Sequence, residues 1–226
     1  MSQSTWFTGQ CDTDGTKMLN FGLNLFECPE CGLISCDTPR NVGIYDQKYL
    51  DHYKALGETE LGKRIGAYRW GFLRRHLNGY KTLLDYGAGA GSFLDSPAAI
   101  PGIKTSGFDI NPYSRFFQDK FAENGNEILT AFDVLEHLES PRALLEKSRA
   151  KLLVLLTPNV EAVPKSMITT WRHYKPGEHL HHYGPESLRA LFKSTGYHME
   201  GWDFLEGAHR NPTRPTDLIT VAASRK

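Results

Sequence analysis

The chain has 226 residues, 26 basic and 26 acidic side chains, and 40% apolar residues. That balance suits a globular protein with one sizeable core and excludes a disordered or fibrous polymer. Zero net charge also argues against a protein that tracks nucleic-acid backbone, because such affinity comes from neutralised phosphates, so nucleic acid is not an expected partner.

The longest pure apolar run, residues 152–156, is strand-sized and far below the roughly 18 residues of a membrane span. The first residues, Met1-Ser-Gln-Ser-Thr-Trp6, show neither the basic nor the apolar part of a secretory leader. A cytoplasmic, reducing location is the expectation, with the cysteines as metal ligands or free thiols.

All four cysteines fall within the first 36 residues, which sets residues 1–45 apart as a loop-rich module ahead of a domain over 46–226. Cys28-Pro-Glu-Cys31-Gly32 is a knuckle: two thiolates with two residues between them, then a glycine that turns backbone amides toward sulfur. Cys11-Asp-Thr-Asp14-Gly15 has the same shape, with Asp14 where the second cysteine would stand. Thirteen residues separate the two knuckles, the spacing of a zinc ribbon. Zinc takes four ligands, so Cys11, Asp14, Cys28 and Cys31 form the expected structural site, with Cys36 as rival for the fourth place. The alternative is a degenerate, unliganded cluster.

From Asp46 to Leu77 the pattern turns helical, with Tyr49, Tyr53, Leu56 and then Ile65, Tyr68, Phe72 and Leu73 at three-to-four spacing. Gly57, Gly62 and Gly66 are expected to break it into two pieces. Short apolar runs then alternate with helical stretches, which predicts βαβ units and an α/β, Rossmann-like, mostly parallel sheet. The runs are 82–86, 105–110, 128–135 and 152–157; the helices are 91–98, 113–122 and 141–149. Ser140 caps the third helix and Pro141 opens it, where a missing N–H costs nothing. A helix over 185–195 ends at Gly196, and strands 197–204 and 217–223 close the chain as an antiparallel pair.

The chemistry concentrates in Leu83-Leu-Asp85-Tyr-Gly87-Ala-Gly89-Ala-Gly91-Ser-Phe93. An apolar strand runs into three glycines at every second residue, which lets the backbone turn sharply and approach a ligand. Asp85 ends the strand, ready for a cation or amino group. Eighteen residues past Gly91 the next strand ends at Asp109, a carboxylate placed to accept both ribose hydroxyls. Dinucleotide binders space their glycines differently, as G-x-G-x-x-G.

An acid followed by G-x-G-x-G resembles the first motif of the class I S-adenosylmethionine-dependent methyltransferases. The resemblance runs from about Lys81 to the C-terminus and includes Asp109, Phe132-Asp133-Val-Leu-Glu136-His137-Leu, the strand before Pro158-Asn159, and 177–192. It implies S-adenosyl-L-methionine as cofactor, held by Asp85, Gly87, Gly89, Gly91 and Asp109, with Asp133 bordering cofactor and substrate. One departure stands out. Only 23 residues separate Asp109 from Asp133, too few for the family's third strand, so a six-stranded sheet without that strand and its adenine-binding acid is expected. The stretch from Glu27 through Tyr53 is similar to methyltransferases with an N-terminal zinc-binding segment, some of which act on sugars. In those enzymes an aromatic pair closes over the cofactor, which nominates Tyr49 and Tyr53; as residues of an amphipathic helix they fit a core equally well.

Methyl transfer needs a positioned nucleophile and removal of its proton. Asp133, Glu136 and His137 share one face if their segment is helical. The trio resembles the set with which quinone-biosynthetic O-methyltransferases hold a divalent cation; the plainer reading is a loop shaped by hydrogen bonds. The second cluster is Glu178-His179-Leu-His181-His182-Tyr183, with His179 the leading base candidate and His182 and His137 behind it. Residues 171–175 read as a lid over an anionic or carbohydrate substrate, or as a plain surface loop.

These readings converge on a methyltransferase of a small molecule, a nucleotide sugar or related metabolite by family analogy. The alternatives are a non-catalytic S-adenosylmethionine-binding scaffold and a methyltransferase of a modified nucleobase.

Overall fold

The computed structural model describes residues 6–41, 43, 45–122 and 125–225. Residues 1–5, where the sequence shows no secretory pattern, lie outside it, as do Val42, Ile44, residues 123–124 and Lys226. A hairpin pairs Leu19–Gly22 (β1) with Leu25–Glu27 (β2), and Ile34–Cys36 (β3) extends it. Helices Gln47–Glu58 (α1) and Glu60–His76 (α2) follow. Then come Thr82–Tyr86 (β4), Lys104–Phe108 (β5), Ile128–Phe132 (β6), Pro141–Lys147 (α3) and Leu152–Pro158 (β7). The chain closes with His181–His182 (β8), Pro185–Ser194 (α4), His198–Asp203 (β9), Leu205–Arg210 (α5) and Leu218–Ser224 (β10).

The large sheet has six strands in the order β5-β4-β6-β7-β10-β9, the number expected without the family's third strand. Its first four strands are parallel, and β10 runs antiparallel to both neighbours. Every residue of β6 and β7 is buried, as expected of strands covered on both faces. Their side chains divide between two apolar clusters, one with Leu129, Leu153 and Leu155, the other with Ile128, Val154 and Leu156.

The helical hairpin breaks at Thr59 rather than at a glycine. Its hydroxyl accepts the Gly62 N–H at 3.0 Å and opens α2. Gly57 and Gly66 lie inside the helices for a packing reason: a Cβ on them would come within 2.2 and 2.8 Å of the hydroxyls of Ser92 and Ser96.

Two expected helices are absent. Residues 91–98 make a single turn, with the Asp95 N–H on the Gly91 carbonyl at 2.9 Å, and Pro97 removes the donor that would continue it. Residues 113–122 form side-chain-capped turns instead. The Asn111 side chain accepts the Tyr113 N–H at 3.0 Å and the Ser114 hydroxyl accepts the Phe116 N–H at 3.1 Å, satisfying locally what a helix would have satisfied.

The N-terminal strands form a second sheet whose fourth strand, β8, comes from the later part of the chain. The Ser35 hydroxyl lies 2.9 Å from His181 Nδ1, and the Cys36 N–H donates to the Leu180 carbonyl at 2.8 Å. Cys11, Met18, Cys28, Cys31 and Leu33 share one apolar core with Leu84, Phe108 and Leu188. Residues 11–36 of the N-terminal module thus meet the remainder through a common sheet and a common core. None of the described helices is long and apolar enough to cross a membrane.

Candidate active site

The glycine turn hangs between the ends of β4 and β5. The amides of Gly87 and Ala88 both donate to the Phe108 carbonyl, at 2.8 and 3.0 Å, which pins the turn to its neighbouring strand. Gly87 has φ +77°, and a Cβ there would stand 2.5 Å from Val134 Cγ2, so only glycine fits. Gly89 differs: its φ is +53°, but nothing lies within 4 Å of where its Cβ would be. That open space is where a ligand can approach the backbone. Gly91 is covered instead, by Arg115 and Phe116.

Two carboxyls underlie the turn. Asp109 accepts the Gly89 N–H at 2.6 Å on one oxygen and the Asn111 N–H at 2.7 Å on the other, which fixes its orientation at the end of β5. Asp85 is buried and accepts the Thr130 hydroxyl at 2.7 Å. Burial pushes its carboxyl up to about 7, with Thr130 pulling the other way.

Asp133 follows β6 with φ +58°, a left-handed conformation rare for a residue with a side chain. Two arginines hold it. Arg210 reaches its oxygens at 2.6 and 3.2 Å, and Arg69 at 3.2 Å. Both arginines also bond the fully buried Glu206 of α5. Desolvation opposes ionisation of Asp133, but the two guanidiniums outweigh it and hold the carboxyl well below its ordinary range. Asp133 therefore spends both oxygens on arginines and does not join the Glu136 and His137 cluster.

That cluster takes a different third member. Glu136, His137 and His179 bring potential ligand atoms within 4.8 Å of one another. His137 Nδ1 lies 3.0 Å from the Glu178 carbonyl and 3.0 Å from the Tyr45 hydroxyl; His179 Nδ1 lies 2.8 Å from the His173 carbonyl. A carbonyl only accepts, so both Nδ1 atoms carry the proton and both Nε2 atoms keep a lone pair. Burial, then the charge of Asp133, pushes the Glu136 carboxyl up, while the Thr157 hydroxyl donates to it at 3.1 Å. Burial pushes His179 down to about 2, which keeps it neutral and makes it a feeble proton acceptor. Burial lowers His137 as well, but the charges of Glu178 and Asp133 act in the opposite sense.

His182 lies in β8, with Nε2 3.4 Å from Cys36 Sγ, and burial pushes it down to about 3. The structure packs it beside the N-terminal sheet rather than in the Glu136 cluster. Trp171 is no lid residue: it is buried, and its indole N–H donates to Asp217 at 3.2 Å.

Sequence reasoning passed over Tyr45, Arg69, Arg210 and Glu206. The tyrosine was findable, because Tyr45, Tyr49 and Tyr53 stand four apart and form an aromatic row with centroids 5.3 and 4.6 Å apart. Tyr53 is 43% exposed, so it fills no core. The arginine clamp had no local signal, since its members come from α2, the loop after β6, and α5.

In the N-terminal module, Cys11, Asp14, Cys28 and Cys31 bring potential ligand atoms within 4.8 Å. Cys11 and Cys31 sulfurs are 3.6 Å apart, and an Asp14 oxygen is 3.7 Å from Cys28 Sγ. Cys36 is not in this group; it lies against His182. Three sulfurs and one carboxylate form a donor set that suits tetrahedral zinc.

No curated protein matches the sequence. Solved structures share the fold at low identity. The magnesium protoporphyrin IX methyltransferase from Synechocystis, with bound SAH, has 14% identity and a TM-score of 0.58 over 81% of this chain and 97% of its own. An S-adenosylmethionine-dependent methyltransferase from Archaeoglobus fulgidus has 21% identity and a TM-score of 0.55 over 80% of this chain and all of its own. The mitomycin 7-O-methyltransferase has 14% identity and a TM-score of 0.54 over 81% of this chain and 60% of its own. The family model described as a methyltransferase domain matches residues 52–200. That span takes in the glycine turn, Asp85, Asp109 and the Glu136 loop and covers well over half of the protein, so the chain belongs to this methyltransferase-domain family and is a methyltransferase.

Proposed function

We propose that the protein transfers a methyl group from S-adenosyl-L-methionine to a small-molecule acceptor, with residues 46–226 as the catalytic domain. The observation that carries this reading is the pairing of Asp109, fixed on the Gly89 amide, with the open space over Gly89. Bound there, the cofactor supplies an electrophilic methyl on a good leaving group. Asp109 would accept the ribose hydroxyls, and Asp85, Gly87, Gly89 and Gly91 would shape the turn beneath. Tyr49 and Tyr53 present an aromatic face from α1.

The acceptor side is bounded by Asp133, His137 and His179. His137 Nε2 is the favoured proton acceptor because its Nδ1–H is tied to the Glu178 carbonyl. His179 contributes a neutral wall, and His182 supports that wall from β8. Two of the structural neighbours, the magnesium protoporphyrin IX and mitomycin methyltransferases, act on small molecules, which supports an acceptor of that class. A nucleotide sugar or related glycosyl precursor is the leading candidate.

Calorimetric titration with S-adenosylhomocysteine tests the cofactor: micromolar binding is expected, and absence of heat and of thermal shift overturns the reading. Mass spectrometry of cell extract incubated with the enzyme and methyl-labelled cofactor then names the acceptor.

Residues 1–45 are proposed as a structural zinc module held by the thiolates of Cys11, Cys28 and Cys31 and by Asp14, in a cytoplasmic setting where none of the four cysteines forms a disulfide. Elemental analysis should find one zinc per chain in the wild type and none in Cys28→Ser, whose unfolding midpoint should fall by several degrees.

A further inference from the structure

Asp109, Glu136 and Glu178 all act on the Tyr45 hydroxyl, Asp109 also on that of Tyr86, and most basic groups nearby are already spent. Arg69 and Arg210 are committed to Asp133 and Glu206. Lys175 is 2.9 Å from Glu178, and Arg115 donates to both oxygens of Asp95 at 2.6 Å. Arg172 is open to solvent.

Arg40 stands apart from these. Its side chain is only 25% exposed, yet its nearest acid among the described residues, Glu139, is 3.7 Å away, half exposed, and beyond hydrogen-bond reach. The backbone around it is fastened down: the Asn41 N–H donates to the Gly177 carbonyl at 2.8 Å, and the Gly177 N–H to the Thr38 hydroxyl at 2.9 Å. The charge of Arg40 falls on Tyr45 and Tyr86, both of which also feel Asp109. Tyr86 immediately precedes Gly87. A largely buried guanidinium with unspent donors is unfavourable until an anion meets it.

We propose that Arg40 binds the amino-acid carboxylate of the cofactor, so that the N-terminal module completes the cofactor site. This inference rests on reading the glycine turn as an S-adenosylmethionine cradle. The amino-acid end of that cofactor carries one ammonium and one carboxylate. The acids around Tyr45 and Tyr86 suit the ammonium, whereas the carboxylate needs a cation, and a guanidinium offers it paired donors. A carboxylate or phosphate on the acceptor would present the same chemistry, and the test separates the two sources.

The full-length protein is titrated, without acceptor, with S-adenosylhomocysteine and with its decarboxylated analogue S-adenosyl-3-thiopropylamine. Wild type should prefer the carboxylate-bearing ligand by about tenfold or more, the usual size of a charge-assisted hydrogen bond. Arg40→Ala should bring the two affinities within about threefold by weakening S-adenosylhomocysteine alone, and Arg40→Lys should restore part of the preference. Unchanged binding of the amine reports an intact site. The inference is overturned if Arg40→Ala keeps the wild-type preference, which would leave Arg40 to an acceptor anion, or if both ligands weaken equally, which would make its role structural. If wild type binds neither ligand, the cofactor reading falls and the inference with it.

Discussion

The two flanks of the six-stranded sheet are held by different physics. On the β6-β7-β10 flank the strands bury nearly every side chain, and Leu153, Leu155, Leu156 and Val221 are wholly withdrawn from water. On the β4-β5 flank, β5 is an edge strand whose first two residues are exposed, and the segments after β4 and β5 are fastened by short polar contacts. The Ser114 hydroxyl donates to the Gly89 carbonyl at 2.6 Å, and the Asp109 carboxylate spans Gly89 and Asn111. Each such hydrogen bond contributes about 1 kcal/mol net, against about 2 kcal/mol for a buried leucine. Stability is therefore concentrated on one flank and ligand geometry on the other.

The largest expected effect tests the apolar flank. Leu155→Ala should lower unfolding free energy by about 2–5 kcal/mol in urea titration, with cofactor affinity of the folded fraction unchanged. A cost below about 1 kcal/mol would break the contrast. Next comes the junction between the flanks. Gly87→Ala introduces a Cβ 2.5 Å from Val134 Cγ2 at φ +77°, and should cost about 1–3 kcal/mol as well as binding.

The third prediction concerns pH. The folded chain holds the Asp85 proton up to about 7, whereas the free carboxyl releases it near 3.8. The native state thus binds more protons than the unfolded state between those values. The Asp85 contribution to stability falls as pH rises through that window, by at most about 1.4 kcal/mol per pH unit, and is flat above it. Buried, neutral His179 and His182 act oppositely below about 6.5, because there the unfolded state takes up the protons. The decisive quantity is therefore the difference between wild type and Asp85→Asn, followed by urea unfolding from pH 4 to 8. That difference should shrink steadily toward the acid end.

The smallest effect on stability sharpens the contrast most. Gly89→Ala meets no neighbour and should cost only about 1 kcal/mol, from its positive φ, yet weaken S-adenosylhomocysteine by tenfold or more in calorimetry. Substantial destabilisation with intact binding would reverse the assignment of roles.

The apolar flank was also the more legible one in the sequence. The run at 152–157 and the buried part of 128–135 became β7 and β6, because a strand covered on both faces needs only a continuous apolar stretch. The run at 82–86 matched β4 residue for residue. On the polar flank the strands were legible and the segments that follow them were not. Helices expected at 91–98 and 113–122 gave way to turns because Asn111, Ser114 and Pro97 offer the backbone other solutions than a helix. Of the glycines read as helix breakers, Gly57 and Gly66 were instead points of close approach to Ser92 and Ser96, and only Gly62 lies at the break, donating to Thr59.

The order of strand, glycine turn and acid, and the spacing of the two cysteine knuckles, could be read from the chain alone, because each is a local pattern with one stereochemical outcome. Tertiary structure decided which distant partners share the work. It placed His181 on Ser35, 146 positions away, Tyr45 on His137, 92 positions away, and Arg210 on Asp133, 77 positions away. Such pairings depend on which faces are buried together when the sheets close, and burial of a shared face leaves no period in the sequence of either partner.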